Sequence, residues 1–463
     1  MKMLGNLKLI HFLLIFLITM NFIHAKEAQP IVEKLDKYVK TAVEWRTQLQ
    51  AQSGQKSELK PTAPIVVAGA LSFVAASISS AGGIGGGGLF IPILTIVAGF
   101  DLKTASSFTA FMVTGVTIAN VAFNVLIKSR RNGGKTMIDY DIALLSEPCM
   151  LVGVSIGVIF NIMLPDWLIT IIFAVFLAWS TFKTFKSGIS YWKRESEGIR
   201  RNGSHNLENG MARNEISSDR SEETVQSLEE PLLHKETSNK LDLPWMKLGV
   251  LVLIWFSFFI IYVLHGDPFE QGIIPVEACG VTYWLISLTQ IPLAAIFSSL
   301  IFYIRQRNQN QELRDDITNP GPNMFIFPLM ALLAGVLGGV FGIGGGMLIS
   351  PLLLQIGLAP EVTAATCSFM VLFASTMSSM QFLLLGMNHV YGAIIFAIIC
   401  FIASVIGMGI VQKVIKKFGR SSLIVFSVGT VMTLSTILIT SFGAVDAWRD
   451  YNNGKFMGFK PPC

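Results

Sequence analysis

Charged residues are scarce in this sequence and unevenly placed. Asp, Glu, Lys and Arg make up 14% of the 463 residues, and hydrophobic residues make up 52%, whereas a soluble domain carries about 25% charged residues. Long stretches have no charge, and the charges gather between them. This pattern excludes one large soluble core and indicates many membrane spans. The net charge of +5 is too small to indicate a nucleic-acid partner.

Several catalytic and cofactor patterns are also missing. The five cysteines have no CxxC spacing and no nearby histidine cluster, so neither a disulfide framework nor a metal site is predicted. The sequence has no His-Glu-x-x-His, no paired intramembrane aspartates and no nucleotide-binding domain. A P-loop-like segment at 129–136 has Ser129 where the first glycine belongs. We therefore expect no enzyme activity, no cofactor and no metal.

The amino terminus resembles a secretory signal. Lys2 and Lys8 precede an apolar run over 9–23 that ends near Ala25. This predicts a signal peptide over 1–25, followed by a non-cytoplasmic segment over 26–62, and a membrane protein that is made through the secretory pathway. An uncleaved first span is the alternative.

Apolar segments long enough to cross a bilayer recur along the chain, since about 20 residues are needed. Eight segments have this length: 104–127, 138–162, 167–186, 245–264, 280–303, 362–385, 390–412 and 420–442. Two further apolar helices, over 64–81 and 325–341, are each followed by glycines and a short apolar stretch, at 89–98 and 347–357. As helices these stretches would be roughly 15 Å long, about half a bilayer.

The two glycine segments are parts of a repeat. Gly83-Ile84-Gly85-Gly86-Gly87 matches 342–346, and Pro92 matches Pro351 without a gap. Thr104-Ala105 and Thr363-Ala364 follow in step. A first membrane repeat over 64–187 and a second over 325–442 are therefore predicted, joined by two connecting spans over 245–303.

The polar segment between the halves, 188–243, is rich in Ser, Glu, Asn, Arg and Lys. Such a composition predicts a disordered linker, since it buries too little apolar surface to fold alone.

Basic loops set the expected topology. Lys and Arg gather at 128–135, 305–314 and 413–420, which the positive-inside rule makes cytoplasmic together with the linker. The tail over 443–463 is then non-cytoplasmic. Counting crossings predicts an all-α membrane protein with two inverted repeats, about 8 full spans and two re-entrant glycine-rich hairpins that enter from opposite faces. Full crossing by 64–83 and 325–342 is the alternative.

The glycine segments predict an anion site. Irregular backbone inside a membrane is tolerated only where it is buried or lines a cavity. Glycine leaves backbone amides accessible, and the start of a helix adds free N–H donors and partial positive charge. The candidate binding residues are Gly83, Gly85, Gly86, Gly87, Gly342, Gly344, Gly345 and Gly346, with hydroxyls from Ser107, Thr109, Thr366 and Ser368 and helix breaks at Pro92 and Pro351. Close helix packing is the alternative for each single glycine, as back-bonding to helix carbonyls is for each hydroxyl.

Glu147 is a lone carboxylate deep within the span over 138–162. An intramembrane carboxylate is costly and is a functional candidate, here for proton coupling. The alternative is a kink at Pro148 with a local hydrogen bond.

The paired G-x-G-G-G segments with Pro92 and Pro351 resemble the sulfite exporter TauE/SafE family, and the signal and long linker resemble its plant members. The resemblance covers about 64–187 and 325–442, and implies export of sulfite or organosulfur oxyanions. The Asp139-Tyr140 opening also looks familial, although the second half has Asn388-His389-Val390-Tyr391 there. A passive anion channel and a scaffold or receptor acting through the linker are the alternatives, and whether the chain forms a homo-oligomer stays open.

Overall fold

The computed structural model describes residues 62–83, 85–125, 137–212, 245–265, 281–312, 326–356, 358–387, 389–418, 422–452 and 458. All of them belong to one compact unit, residues 57–463. Within these ranges the regular structure is helical, and we number its twelve α-helices in chain order. They are α1 (Ala63–Ser79), α2 (Gly87–Pro92, continued by a π-helical turn over Ile93–Val97), α3 (Leu102–Phe123), α4 (Tyr140–Met163), α5 (Asp166–Ala212), α6 (Trp245–His265), α7 (Val281–Glu312), α8 (Ile326–Phe341), α9 (Gly346–Ile356), α10 (Pro360–Leu384), α11 (Val390–Phe418) and α12 (Ser422–Asn452). The predicted signal peptide lies outside the described residues.

Seven of these helices are long and apolar enough to cross a membrane: α3, α4, α5, α6, α10, α11 and α12. They divide into an inner and an outer set. About two thirds of the apolar window is buried in α3 and α10 and 72% in α4, against 17% in α6. Outer helices expose large apolar side chains such as Phe182, Ile395 and Ile437. A water-soluble protein would cover such surface, so the chain is a multi-pass membrane protein.

The eighth expected span, 280–303, lies within α7. Its described apolar part covers Leu288–Ile304, which is shorter than the seven spans above. Pro292 lies inside this helix. Seven of the eight expected spans therefore correspond to helices that are long and apolar enough to cross a membrane within the described residues, and the eighth corresponds to the 32-residue helix α7.

The helices before and after the α6–α7 pair follow the same order. A helix of 17 residues (α1) or 16 residues (α8) is followed by a short helix and then by three long ones. The first helix of each set packs on a helix of the other set. Gly69 of α1 lies beside Ile399 of α11, and Gly335 of α8 lies against the Met150 carbonyl of α4. The two sets are therefore interlocked rather than side by side.

Glycines allow this interlocking. Gly153 and Gly157 of α4 face Leu332 and Val336 of α8 so closely that an added Cβ would overlap backbone atoms. Gly407 of α11 faces the Ser77 carbonyl of α1 in the same way. Small residues at such crossings let membrane helices approach to backbone contact.

Helix α5 differs from the sequence prediction. It continues to Ala212, whereas an unstructured linker was expected from residue 188. Two side chains tie its extension to the second half. Tyr191 donates a hydrogen bond to the Leu358 carbonyl at 2.6 Å, and Glu195 accepts from the Ser422 amide, at the start of α12, at 3.0 Å. These contacts stabilise helical backbone that composition alone would leave unfolded. The rest of the predicted linker, 213–243, lies outside the described residues.

Candidate functional site

Two glycine turns interrupt the apolar helices. Gly83, Gly85 and Gly86 have φ of 69°, 74° and 76°, and their counterparts Gly342, Gly344 and Gly345 have φ of 67°, 67° and 72°. Only glycine adopts this left-handed backbone without steric cost. The six positions correspond one to one, so both segments fold into the same irregular turn rather than into continuous helix.

Each turn is packed against a long helix of the other half. A Cβ on Gly83 would overlap the Ala364 carbonyl at the start of α10, and one on Gly342 would overlap the Ser106 carbonyl at the start of α3. The two turns also meet each other, because a Cβ on Gly87 would lie 2.7 Å from the Ile343 side chain. Close packing thus requires glycine at these positions, as the packing interpretation expects.

A short helix begins directly after each turn. Helix α2 begins at Gly87 and α9 at Gly346, close to the expected short helices at 89–98 and 347–357. The Leu89 amide donates to Gly86 O at 3.0 Å, and the Leu348 amide donates to Gly345 O at 3.1 Å. The earlier amides of a helix have no partner within it. Both starts are buried inside the protein, so any donors that the helices leave free at these ends lie in its interior.

Three of the four candidate hydroxyls have protein partners. Ser107 donates to the Thr104 carbonyl at 2.9 Å, Thr366 accepts from the Asp139 amide at 2.9 Å, and Ser368 accepts from Asn120 Nδ2 at 3.4 Å. Ser107 therefore back-bonds to its own helix. Thr109 is fully buried, and its hydroxyl has no hydrogen-bond partner among the described residues. Asp139 is the N-cap of α4, which explains its place without a role at the glycine turns.

Two buried asparagines hold the helix ends that precede the turns. Asn120 Nδ2 donates to the Ser80 carbonyl at 3.1 Å after α1, and Asn161 Nδ2 donates to the Val340 carbonyl at 2.6 Å near the end of α8. Asn161 is not among the residues predicted from the sequence. Its signal is an uncharged amide inside an apolar span, which needs partners to be buried.

Glu147 has no exposed surface, and neither carboxyl oxygen has a hydrogen-bond partner among the described residues. The local hydrogen bond expected beside Pro148 is therefore not formed. An unpartnered buried carboxylate is expensive, so a stability role does not explain it.

Pro351 does not end its helix, and Pro92 ends the α-helical part of α2 without ending the helical backbone. Helix α9 continues through Pro351 to Ile356, and at Pro92 the α-helix changes into the π-helical turn Ile93–Val97. The breaks lie at the glycines, several residues before each proline. A proline in the first turns of a helix removes one hydrogen bond without preventing the next ones from forming.

A small cavity of about 10 Å³ lies beside the first glycine turn. Gly82 borders it from the turn that follows α1, Ser350 and Leu354 from α9, Thr363 from α10, and Val428 from α12. The buried Thr363 hydroxyl has no hydrogen-bond partner among the described residues. The cavity is therefore small and is bordered by glycine backbone and by the Thr363 hydroxyl, which is available to donate a hydrogen bond.

No group of three or more metal-binding side chains occurs within the described ranges.

Comparison with known proteins identifies the family. The model of the sulfite exporter TauE/SafE family matches residues 5–203 and 244–439. The chain belongs to the sulfite exporter TauE/SafE family. Sulfite exporter TauE/SafE family protein 2 of Arabidopsis thaliana is 58% identical over 413 residues, with 87% of this chain and 88% of the relative covered. Family protein 5 of the same plant is 56% identical, with 91% and 92% covered.

A more distant relative, TauE/SafE family protein 3 of Arabidopsis thaliana, is 29% identical, with 86% of this chain and 83% of the relative covered. No solved structure matches the chain. The match to the TauE/SafE model includes both glycine turns, and it also extends over α5 to residue 203.

Proposed function

We propose that this protein is a secondary transporter that exports small anions, sulfite or organosulfur oxyanions, and binds them through backbone amides where α2 and α9 begin. The observation that carries this proposal is the matched pair of glycine turns, each with three left-handed glycines and each followed by a buried helix start. Helix starts and glycine turns bind oxyanions without a cationic side chain. A site without a cationic side chain also binds the anion weakly enough for it to dissociate, which transport requires.

Helix directions support a pair of re-entrant hairpins. Helix α1 runs parallel to α11, since Gly69 lies beside Ile399 and Ser77 beside Gly407. Helix α3 also runs parallel to α11, since Gly115 lies beside Ala397 and Asn120 beside Ser404. The starts of α1 and α3 therefore share one end of the bundle, and α2 must return to that end. We infer that α1 and α2 enter and leave on one face.

The second hairpin opens at the other end by the same reasoning. Helix α8 runs parallel to α4, and α10 does too, because Thr366 contacts Asp139 and Gln381 contacts Ser155. Helix α4 is antiparallel to α3, since Lys103 near the start of α3 bonds the Ile162 carbonyl near the end of α4. Opposite openings are the geometry of inverted-repeat transporters, whose binding sites lie at the repeat interface.

Proton coupling through Glu147 is part of the proposal. Its fully buried carboxyl lacks hydrogen-bond partners, so either protonation or a mobile partner must offset the cost of burial. The carboxyl lies on α4, three residues before Met150, whose side chain approaches Gly345. A change of charge at residue 147 therefore occurs on the helix that packs against the second glycine turn.

The proposal is tested with purified protein in lipid vesicles. We expect uptake of at least one of three labelled anions, sulfite, sulfate and sulfoacetate, and acceleration of that uptake by a proton gradient. Gly85→Val and Gly344→Val should each lose flux while still inserting, since an added Cβ lies 2.7 Å from Val113 or Val371. Gly249→Val is the matched control, because a Cβ there meets nothing within 4 Å. Flux that ignores every imposed ion gradient would indicate a passive channel instead.

A further inference from the structure

Each short helix contains a proline that frees one backbone carbonyl. Pro92 lies inside α2 and Pro351 inside α9. Proline has no N–H, so it cannot donate to the carbonyl four residues earlier in an α-helix. These carbonyls belong to Gly88 and Met347, both fully buried. A carbonyl left without a hydrogen-bond partner at such depth would destabilise the folded state.

A serine from the opposite half donates a hydrogen bond to each freed carbonyl. Ser435 of α12 donates its hydroxyl to Gly88 O, and Ser180 of α5 donates to Met347 O at 2.8 Å. Neither serine has exposed surface. The last helix of each half thus holds the short helix of the other half, at the same position relative to its proline.

These two bonds differ from the ordinary behaviour of helix hydroxyls. Serine and threonine in membrane helices usually bond to their own helix three or four residues back. Ser427, Thr433 and Thr436 of α12 all do so, with donor–acceptor distances of 2.7–2.8 Å. Ser435 lies among these residues, yet its hydroxyl donates to the Gly88 carbonyl of α2 instead of to a carbonyl of α12. Back-bonding therefore does not account for Ser435, whereas the freed carbonyl does.

We propose that Ser180 and Ser435 are positioning residues that fix the first turns of α9 and α2 across the interface between the halves. This inference rests on the proposed transport function. Gly88 is the second residue of α2, and Met347 the second of α9. Holding these carbonyls sets the direction of the amides in the same turn, which are the proposed anion donors. It also connects α2 to α12, and α9 to α5.

A double-mutant cycle tests the inference. Ser435→Ala removes the donor to Gly88 O, and Pro92→Ala supplies a backbone N–H to the same carbonyl. We expect Ser435→Ala to raise the KM for labelled sulfite about tenfold, since 1.4 kcal/mol corresponds to tenfold. In the Pro92→Ala background the same change should cost less than about twofold. Ser180→Ala should behave likewise with Pro351→Ala.

Mismatched pairs and a control make the cycle specific. Ser435→Ala with Pro351→Ala should show no rescue, because the two act on different carbonyls. Ser427→Ala removes a hydroxyl that bonds only within α12, and should leave KM unchanged. Equal costs of Ser435→Ala with and without Pro92 would overturn the inference, as would a fall in Vmax alone.

The thermal unfolding midpoint of the same variants in detergent separates the two proposals. If the wild-type protein carries none of the three anions, the transport proposal fails. In that case the unfolding midpoints of the matched and mismatched double variants still show whether each serine bonds to the carbonyl that its proline frees.

Discussion

A single methyl group added at Gly344 tests whether the second glycine turn requires its left-handed backbone. The φ of 67° at this position costs a residue with a Cβ roughly 1–2 kcal/mol. The new Cβ would also lie 2.7 Å from Val371 Cγ1 and 3.3 Å from Ser375 Cβ, and such overpacking costs about 1–3 kcal/mol. Gly344→Ala should therefore lose about 2–5 kcal/mol of local stability, a large share of the roughly 5–15 kcal/mol of a folded domain.

The assay measures the unfolding midpoint and sulfite flux of the purified protein. We expect Gly344→Ala to lower the midpoint by about 5 °C or more and to abolish most flux. Gly409→Ala is the matched control, since its Cβ meets nothing within 4 Å and its backbone has no left-handed φ. Alanine inside a helix should raise stability there by about 0.5–1 kcal/mol. Wild-type stability and flux in Gly344→Ala would refute the account of the turn.

Three further changes test other parts of the structure. Glu147→Gln should insert normally and keep flux down an anion gradient, but lose its response to a pH gradient; an unchanged pH response would exclude Glu147 as the coupling group. Glu195→Ala removes the acceptor of the Ser422 amide and should lower the free energy of unfolding by about 0.5–2 kcal/mol. An unchanged thermal unfolding midpoint would contradict this prediction. Deleting 213–243 should preserve flux if the protein is a transporter, whereas loss of flux in folded protein would favour a scaffold or receptor that acts through this segment.

Much of the helical architecture can be predicted from the sequence because apolar length is a local property. The expected spans at 104–127, 138–162 and 362–385 correspond to α3, α4 and α10 within a few residues. The glycine turns could also be located, because the repeat places six glycines that all adopt left-handed backbone.

The contacts that hold the site could not be predicted, because they join residues far apart in the chain. Asn161 reaches the end of α8, and Ser180 and Ser435 reach carbonyls in the other half. In the sequence, these serines look like the back-bonded hydroxyls around them. The order of α5 beyond residue 188 is missed for the same reason, since Glu195 is stabilised by the start of α12 rather than by its own neighbours.

The most direct test of anion binding by the two glycine turns is a structure of the purified protein with selenite, whose selenium scatters anomalously and whose shape matches sulfite. We predict an anomalous peak whose position places a selenite oxygen within hydrogen-bonding distance of the Gly87 or Gly346 amide nitrogen. Selenite bound only at other groups, with both helix starts closed on protein atoms, would contradict the account.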